Sequence, residues 1–203
     1  MARAFLTSRI LRWLLLVLLA ALALQLFFIG RIALMAVVDP SSTTFERSEA
    51  WRIVTEKGAL RWRQQWVPYA QISDHLKRAV IASEDGDFIN HDGVEWEAIE
   101  KAWQKNAKAE EQAARRAQLR PNARAPKIVG GSTITQQLAK NLLLSGERTL
   151  LRKGQEFVLT MALEVLLSKQ RILEIYLNNV EWGNGVFGAE AAARHYYRKS
   201  AAD

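Results

Sequence analysis

The chain has 203 residues, of which 49% are hydrophobic, enough for one globular domain and a short accessory segment. A formal net charge of +7 points to an anionic partner: a nucleic acid, an anionic membrane surface or a phosphorylated substrate. The chain contains no cysteine, which excludes both disulfides and cysteine chemistry.

Residues 13–38 have the composition of a membrane anchor. An uncharged run covers residues 13–30, and the apolar character resumes after Arg31. About 20 apolar residues cross a hydrocarbon core of roughly 30 Å, so the segment predicts an uncleaved transmembrane signal anchor. A cleaved signal peptide is the alternative, because residues 21–23 resemble a cleavage site, but the apolar run is longer than such peptides need.

The short tail before this anchor sets its orientation. Arg3, Arg9 and Arg12 lie within residues 1–12, and the positive-inside rule places such a tail in the cytoplasm. Residues 39–203 are then predicted to form a domain on the outer face of the membrane.

After a polar linker at 39–44, the domain is predicted to be mainly α-helical. Short apolar stretches at 51–54 and 60–67 are compatible with strands, with an interfacial segment or with packing in a core. Helical periodicity and capping signals follow, with Ser132 and Ser168 as predicted N-caps. The predicted helices cover residues 72–83, 94–118, 133–144, 150–168, 169–178 and 188–197.

Residues 84–93, directly after the first of these helices, carry four acidic side chains, a histidine and an aromatic residue. Catalytic carboxylates are often placed on loops held by rigid elements, which makes Glu84 the first candidate for proton chemistry. A solvated turn between two helices is the alternative interpretation.

The predicted helix 133–144 has an apolar and a polar face. Ile134, Leu138 and Leu142 form the apolar stripe, and a hydroxyl, two amides and an ammonium lie on the other side. These polar groups belong to Thr133, Gln136, Gln137 and Lys140. Glycines at 130 and 131, together with the free N–H groups of the helix N-terminus, suit a phosphate or a sugar. A capped, solvent-facing amphipathic helix is the alternative.

Three charged residues open the next helix at a spacing that lets them interact. Arg152 and Lys153 precede Glu156 by four and three residues, so both cations can reach one carboxylate. If exposed, the cluster would be an ordinary surface salt bridge. Because a long apolar run follows, the cluster is predicted to be partly buried, where charges are paired or used. The sequence contains no metal-ligand motif.

Five strings in register across residues 72–203 resemble the family 51 glycosyltransferases, which polymerise lipid II. Residues 84–93 fit E-D-x-x-F-x-x-H-x-G, residues 130–137 read G-G-S-T-I-T-Q-Q and residues 152–156 fit R-K-x-x-E. Residues 169–178 fit K-x-x-I-L-E-x-Y-L-N, and residues 185–202 resemble G-x-x-G-x-E-x-A-A-x-x-Y-F-x-K-S-A. The anchor and linker are most similar to those of the monofunctional biosynthetic transglycosylases.

Three features depart from the family pattern. Tyr197-Arg198 stands where Phe-Gly is usual, residues 105–125 form a longer segment than is typical, and the chain stops at Asp203 where the family continues. The domain at 39–203 is therefore expected to be truncated at its C-terminal end.

The resemblance implies a two-lobed, lysozyme-like helical domain that catalyses an inverting glycosyl transfer. In the family, the C4 hydroxyl of one lipid-linked disaccharide displaces undecaprenyl pyrophosphate from a growing strand. Glu84 matches the general base of that reaction. Glu156 matches the second essential carboxylate, which would organise cations or a divalent ion, Mg²⁺ or Mn²⁺, at the pyrophosphate.

Further roles are implied by position in the motifs. The groups expected to bind the pyrophosphate are Lys140, Arg148, Arg152 and Lys153. Those expected to line donor and acceptor subsites are Ser132, Thr133, Gln136, Gln137 and Asn178. Those expected to support the site are Asp85, Phe88, His91 and Glu174.

The resemblance also implies partners and a location. The partners are lipid II, the growing lipid-linked strand, the membrane and other cell-wall synthesis proteins, and nucleic acid is not among them. The location is the bacterial inner membrane, with the domain on the periplasmic face.

Two other functions stay open. A lysozyme-like enzyme would cleave a glycan with one protonated glutamate. It is disfavoured by the cationic set, because hydrolysis has no pyrophosphate to neutralise. A non-catalytic membrane-tethered protein that binds lipid II or glycan would explain the basic charge but not the spacing of the motifs.

Overall fold

The computed structural model describes residues 2–58, 62–119, 130–144, 149–183 and 185–203. Its helices are α1 (Ala2–Leu34), α2 (Thr44–Lys57), α3 (Asp74–Glu84), α4 (Trp96–Leu119), α5 (Ile134–Leu143), α6 (Leu150–Leu166), α7 (Lys169–Asn179) and α8 (Ala189–Ala192). Its strands are β1 (Arg63–Gln64), β2 (Glu181–Gly183) and β3 (Val186–Phe187). The prediction of a mainly α domain behind one apolar N-terminal helix is confirmed.

Helix α1 continues from the apolar segment into the domain. Its portion Arg9–Leu34 is long and apolar enough to cross a membrane, which fits the predicted single-pass anchor. At its C-terminal end, Ile32 and Met35 are buried in the main hydrophobic core. Arg171 of α7 donates from Nε to the Met35 carbonyl at 2.8 Å and from Nη2 to Asp39 at 2.7 Å. The anchor is therefore docked on the domain by buried contacts.

Residues 51–54 lie in helix α2, so the strand interpretation of this stretch was wrong, whereas the burial of Ile53 fits the alternative of packing in a core. Thr43 and Glu46 form a reciprocal capping box at the start of α2, with the Glu46 carboxylate accepting from Thr43 N at 2.6 Å. The buried side of α2 carries Glu46, Glu49 and Ile53, whereas Trp51 is exposed. Because this buried face is mostly acidic, the residues lack the apolar periodicity that predicts a helix.

The core is organised around α5, which packs against α2, α6 and α7. Ile134, Leu138 and Leu142 of the predicted apolar stripe are all at most 1% exposed. The same core cluster contains Leu159 and Leu163 of α6 and Ile172 and Ile175 of α7. The period of α5 is thus a reliable predictor of its buried face.

Asn178 and Glu174 of α7 hold the segment that enters the domain after β1. The Asn178 side chain accepts from Val67 N at 2.7 Å and donates to Val67 O at 2.9 Å. Glu174 accepts from Tyr69 N at 2.9 Å and from Arg171 Nη1 at 2.8 Å. Asn178 is only 1% exposed, so the expectation that it lines a substrate subsite is corrected: its amide is used by the Val67 backbone.

The small sheet, in the order β1-β3-β2, ties the segment after α2 to the last part of the chain. β1 is parallel to β3, and β3 is antiparallel to β2. Trp62 stacks on Phe187 of β3 with ring centroids 4.4 Å apart. The predicted helix 188–197 is present, with α8 continuing into a π-helical turn at Ala193–Tyr197.

Candidate active site

Glu84 is the last residue of α3 and presents an exposed carboxylate. Its Oε2 accepts a hydrogen bond from Gln137 Nε2 of α5 at 3.0 Å. The other end of that amide, Gln137 Oε1, accepts from the Tyr176 hydroxyl of α7 at 3.1 Å. The amide is therefore held at both ends, and it orients the Glu84 carboxylate from a rigid helix.

The Tyr176 hydroxyl is fixed as a donor in this chain of hydrogen bonds. Burial raises its pKa, and the negative charges of Glu84 and Asp85 raise it further. A tyrosine in this state keeps its proton and continues to donate to Gln137. Tyr176 was not among the predicted site residues, although it lies in the motif at 169–178.

Asp85 fixes the backbone next to Glu84. Its Oδ2 accepts from Ile134 N at 3.0 Å, in the first turn of α5, where helix N–H groups lack internal partners. Its Oδ1 contacts His91 Nε2 at 2.8 Å, and His91 Nδ1 accepts from Gly93 N at 3.0 Å. This pattern assigns the imidazole proton to Nε2, which donates to Asp85. Asp85 therefore joins α3, the loop at 85–93 and α5.

Phe88 and Lys169 complete the support beneath the loop. Phe88 is 1% exposed and lies edge-on to the His91 ring. The Lys169 ammonium sits 4.7 Å from the Phe88 ring centroid and donates to the His91 carbonyl at 2.5 Å and to Glu164 Oε1 at 2.9 Å. Asp85, Phe88 and His91 thus make direct contacts around the loop together with Lys169 and Glu164, and their role in supporting a catalytic site stays a prediction.

Gly93 closes this loop in a conformation that requires glycine. Its φ is +83°, and a Cβ there would lie 2.8 Å from side-chain carbons of both Glu164 and Thr160. Gly93→Ala is expected to destabilise the fold by about 2–4 kcal/mol, from left-handed strain and steric overlap. Thermal unfolding measures this loss.

Gly86→Ala is the matched control, since Gly86 lies in the same loop with no heavy atom within 4 Å of its added Cβ. Equal melting temperatures for the two variants would contradict the assignment of Gly93 as a structural requirement of the loop.

The N-terminus of α5 is capped by Thr133, so the prediction that Ser132 is the N-cap was wrong by one residue. Thr133 and Gln136 form a reciprocal capping box, and the Thr133 hydroxyl also donates to Gly93 O at 2.6 Å. Both residues are at most 5% exposed. The expectation that Thr133 lines a subsite is therefore corrected, because its hydroxyl is used by the cap and by the loop.

Glu156 is buried, and both of its oxygens are engaged by cations. Arg152 Nη1 donates to Oε2 at 2.8 Å, and the Lys153 ammonium donates to Oε1. The Glu156 side chain is 4% exposed, that of Arg152 16% and that of Lys153 54%. The predicted pairings of Arg152 and Lys153 with Glu156 are both present, and the cluster is partly buried as predicted. Two cations around one carboxylate leave a net positive charge.

Arg152 also has an unused donor. Its Nε is buried and has no hydrogen-bond partner among the described residues. Buried polar atoms are normally paired, so this unpaired N–H leaves part of the Arg152 positive charge uncompensated within the cluster.

A cavity of about 510 Å³ lies between α4, the N-terminus of α5 and α6. On α4, Ile99, Ala102 and Trp103 form an apolar patch, and Asn106 and Glu110 line the cavity further along the same helix. Ser132, Gln136 and Lys153 line it from the other side and supply a hydroxyl, an amide and an ammonium. The apolar patch thus suits a hydrocarbon chain and the other side suits an anionic or sugar group.

Gly131 brings α4 close to this cavity. A Cβ at Gly131 would lie 3.0 Å from Ile99 Cα and 3.1 Å from the Ala98 carbonyl, whereas Gly130 has open space. Gly131 also lines the cavity, so its missing side chain admits the α4 backbone and leaves its own backbone open to the cavity, and the expectation that both glycines admit a ligand stays a prediction.

Two predicted cations are not brought into the described cluster. Lys140 is exposed in the last turn of α5. Arg148 lies outside the described residues. Their predicted contribution to pyrophosphate binding stays a prediction.

Two groups of described side chains offer oxygen or nitrogen atoms of the kind that bind metal ions. Asp85, His91 and Glu95 each offer one ligand atom within 4.8 Å of the others. Both Asp85 oxygens and both His91 nitrogens already take part in hydrogen bonds, so these groups serve to fix the loop. At Glu156 both oxygens face cations, and this donor set does not fit a divalent ion held by the carboxylate.

Comparisons with known proteins identify the family. Residues 52–203 match the family model described as Transglycosylase. That match covers most of the chain and includes every described element of the site, and the chain therefore belongs to the transglycosylase family.

The curated relatives carry a more specific name. The chain is 54% identical over 179 residues to a biosynthetic peptidoglycan transglycosylase of Burkholderia thailandensis, a match that covers 88% of this chain and 64% of the relative. It is 50% identical over 182 residues to one of Paraburkholderia phytofirmans, covering 90% and 70%. The chain thus spans about two thirds of the length of these relatives.

Proposed function

We propose that this chain polymerises lipid II into linear glycan strands of peptidoglycan, with undecaprenyl pyrophosphate as the leaving group. The observation that carries the proposal is the arrangement of neighbouring residues on α5. Gln137 holds the candidate base Glu84, and Gln136 lines the cavity that contains Lys153. A proton acceptor and the cavity lined by Lys153 are therefore reached from one helical turn.

In the proposed reaction, Glu84 takes the proton of the C4 hydroxyl of the acceptor saccharide. The C4 oxygen forms a bond to the anomeric carbon of the donor, and the bond between that carbon and the pyrophosphate oxygen breaks with inversion. The electron pair leaves on the pyrophosphate, whose growing charge is stabilised by Lys153 and by Arg152. Glu156 holds these two cations in place.

The apolar patch of the cavity has a separate role in this proposal. Ile99, Ala102 and Trp103 provide contacts for the first part of the polyprenyl chain. Ser132 contacts the sugar or the phosphate, and Gln136, whose Oε1 accepts from Thr133 N at 3.2 Å in the cap, has only its Nε2 left to donate to a ligand in the cavity. A divalent cation at the pyrophosphate would arrive with the substrate, because the Glu156 carboxylate is already occupied.

The proposed location follows from α1 and from the substrate. We place residues 1–12 in the cytoplasm and the domain on the periplasmic face of the bacterial inner membrane. A polyprenyl-linked substrate stays in the bilayer, so a membrane-anchored enzyme meets it by diffusion in two dimensions. Other cell-wall synthesis proteins are proposed as partners.

Lipid II and mature glycan strands distinguish the proposed polymerase from a glycan-cleaving enzyme. Fluorescent lipid II is expected to yield long glycan products with this protein, whereas purified strands are expected to keep their length. Gel electrophoresis of both reactions, with and without EDTA, is the measurement. Shortened strands together with unchanged lipid II would overturn the proposal in favour of hydrolysis.

Binding without turnover would support the third alternative, a non-catalytic protein. It is separated from polymerisation by measuring lipid II capture and product length on the same sample. The Glu84 variant described in the Discussion provides the control that abolishes chemistry.

A further inference from the structure

Helix α1 touches the rest of the molecule along one stripe. Gln25, Phe28, Ile32 and Met35 are intermediate or buried, at spacings of three, four and three residues. The side chains of residues 9–24 are all exposed. Among the described intermediate and buried side chains of α1, Gln25 lies farthest from the domain end of the helix.

Gln25 pairs with Gln155 of α6 through two hydrogen bonds. Gln25 Nε2 donates to Gln155 Oε1 at 2.7 Å, and Gln155 Nε2 donates to Gln25 Oε1 at 2.9 Å. Gln25 belongs to the apolar segment Arg9–Leu34. In a hydrocarbon environment each amide loses its water partners, so the reciprocal pair satisfies both groups in one geometry.

This pair lies on the membrane side of the point where α1 enters the core. Seven residues separate Gln25 from Ile32, which corresponds to about 10 Å along the helix axis. On α6, the residues at the same end include Leu150 and Leu151, which are 92% and 88% exposed. Large apolar side chains with that exposure are suited to lipid, so the first turns of α6 reach the depth of the membrane span.

The amide pair is also next to the charged turn of the candidate site. Gln155 immediately precedes Glu156 and lies between it and the cations Arg152 and Lys153 in the sequence. A shift of α6 along α1 would therefore move all of these charges relative to the bilayer. Apolar contacts alone tolerate such a shift, whereas a single partly buried amide pair favours one register between two helices.

We propose that the Gln25–Gln155 pair is a positioning device that sets the depth of α6, and of its charged turn, relative to the membrane. Gln25 and Gln155 act through the placement of Arg152, Lys153 and Glu156. The activity readout of this inference rests on the proposed lipid II polymerisation, and its depth readout does not.

Depth is measured with a nitroxide on α6. Because the chain has no cysteine, Leu151→Cys provides a single labelling site. The protein is placed in vesicles of phosphatidylethanolamine and phosphatidylglycerol, and power saturation with oxygen and a water-soluble nickel complex reports the depth of the label. Gln25→Leu is expected to change that depth by about one helical turn, roughly 5 Å.

Activity is measured in the same vesicles and in detergent. With lipid II as substrate, Gln25→Leu is expected to lower kcat/KM in vesicles by about 10- to 100-fold, because misplaced charges lose alignment with the pyrophosphate. In detergent micelles, where no bilayer fixes the depth, its kcat/KM is expected to match the unmodified chain. Leu26→Ala, a change at a 60% exposed neighbour, is the matched control and is expected to keep both depth and activity.

The double variant Gln25→Leu/Gln155→Leu leaves no unpaired amide, and it tests the inference if the single variant does not fold. Its label is expected to show the same altered depth. A wild-type depth in either variant, or an equal loss of activity in detergent and vesicles, would overturn the positioning role. Inactivity of the unmodified protein on lipid II would instead contradict the proposed function and would leave the depth test standing.

Discussion

Glu84→Gln is expected to abolish polymerisation of lipid II, with a loss of about 10²- to 10⁴-fold. The amide has the shape of the carboxylate but cannot accept the proton of the acceptor hydroxyl. Its oxygen can still accept from Gln137, so the surroundings are preserved. Product formation from fluorescent lipid II is the measurement, with donor binding and circular dichroism showing that the site and the fold remain intact.

Asp87→Asn is the matched control for this change. Asp87 is exposed in the same acidic loop and accepts a hydrogen bond from Asn90 at 2.6 Å. It is expected to keep near-normal activity. If Glu84→Gln retained a tenth or more of the activity, or if the two variants behaved alike, Glu84 would not be the general base.

Glu156→Gln is expected to fail through the pyrophosphate side of the reaction. The amide cannot balance the charges of Arg152 and Lys153, whose placement would loosen, and activity is expected to fall by about 10²-fold. Loss of the anionic partner of these cations also lowers stability. The expected loss is only about 1–3 kcal/mol, because Lys153 is half exposed and the amide oxygen still accepts one hydrogen bond. Polymerisation kinetics, inhibition by free undecaprenyl pyrophosphate and thermal unfolding measure these effects.

Glu111→Gln is the control for the ion pair itself. Glu111 pairs with Arg115 on α4 at 2.7 Å with the same four-residue spacing, but both side chains are exposed. Removing that pair is expected to change stability by less than about 0.5 kcal/mol and to leave activity unchanged. Full activity of Glu156→Gln, alongside lost stability, would make Glu156 a structural residue only.

Local spacing was enough to predict the features that depend on one helix. The apolar stripe of α5 and the approach of Arg152 and Lys153 to Glu156 both follow from the helical repeat. The acidic loop at 84–93 was found because its composition is unusual after an apolar helix. These are short-range properties, and the structure places them as expected.

Contacts between distant segments could not be predicted from the spacing of residues in the sequence. The Glu84–Gln137 bond joins residues 53 positions apart, and the two bonds between Asn178 and Val67 span 111 positions. An asparagine on an amphipathic helix looks the same whether it faces a ligand or a buried backbone. The cap of α5 was ambiguous for a different reason, since Ser132 and Thr133 are both good N-caps and only the geometry selects between them.

The burial of Ile32 and Met35 has a consequence for handling the protein. A shortened form that begins at residue 39 would lose two side chains of the hydrophobic core and the carbonyl to which Arg171 donates. The boundary between the membrane segment and the domain is thus not a place where the chain can be cut without opening the interior. The last turns of α1 are part of the folded unit, and a soluble version of this domain needs to keep them.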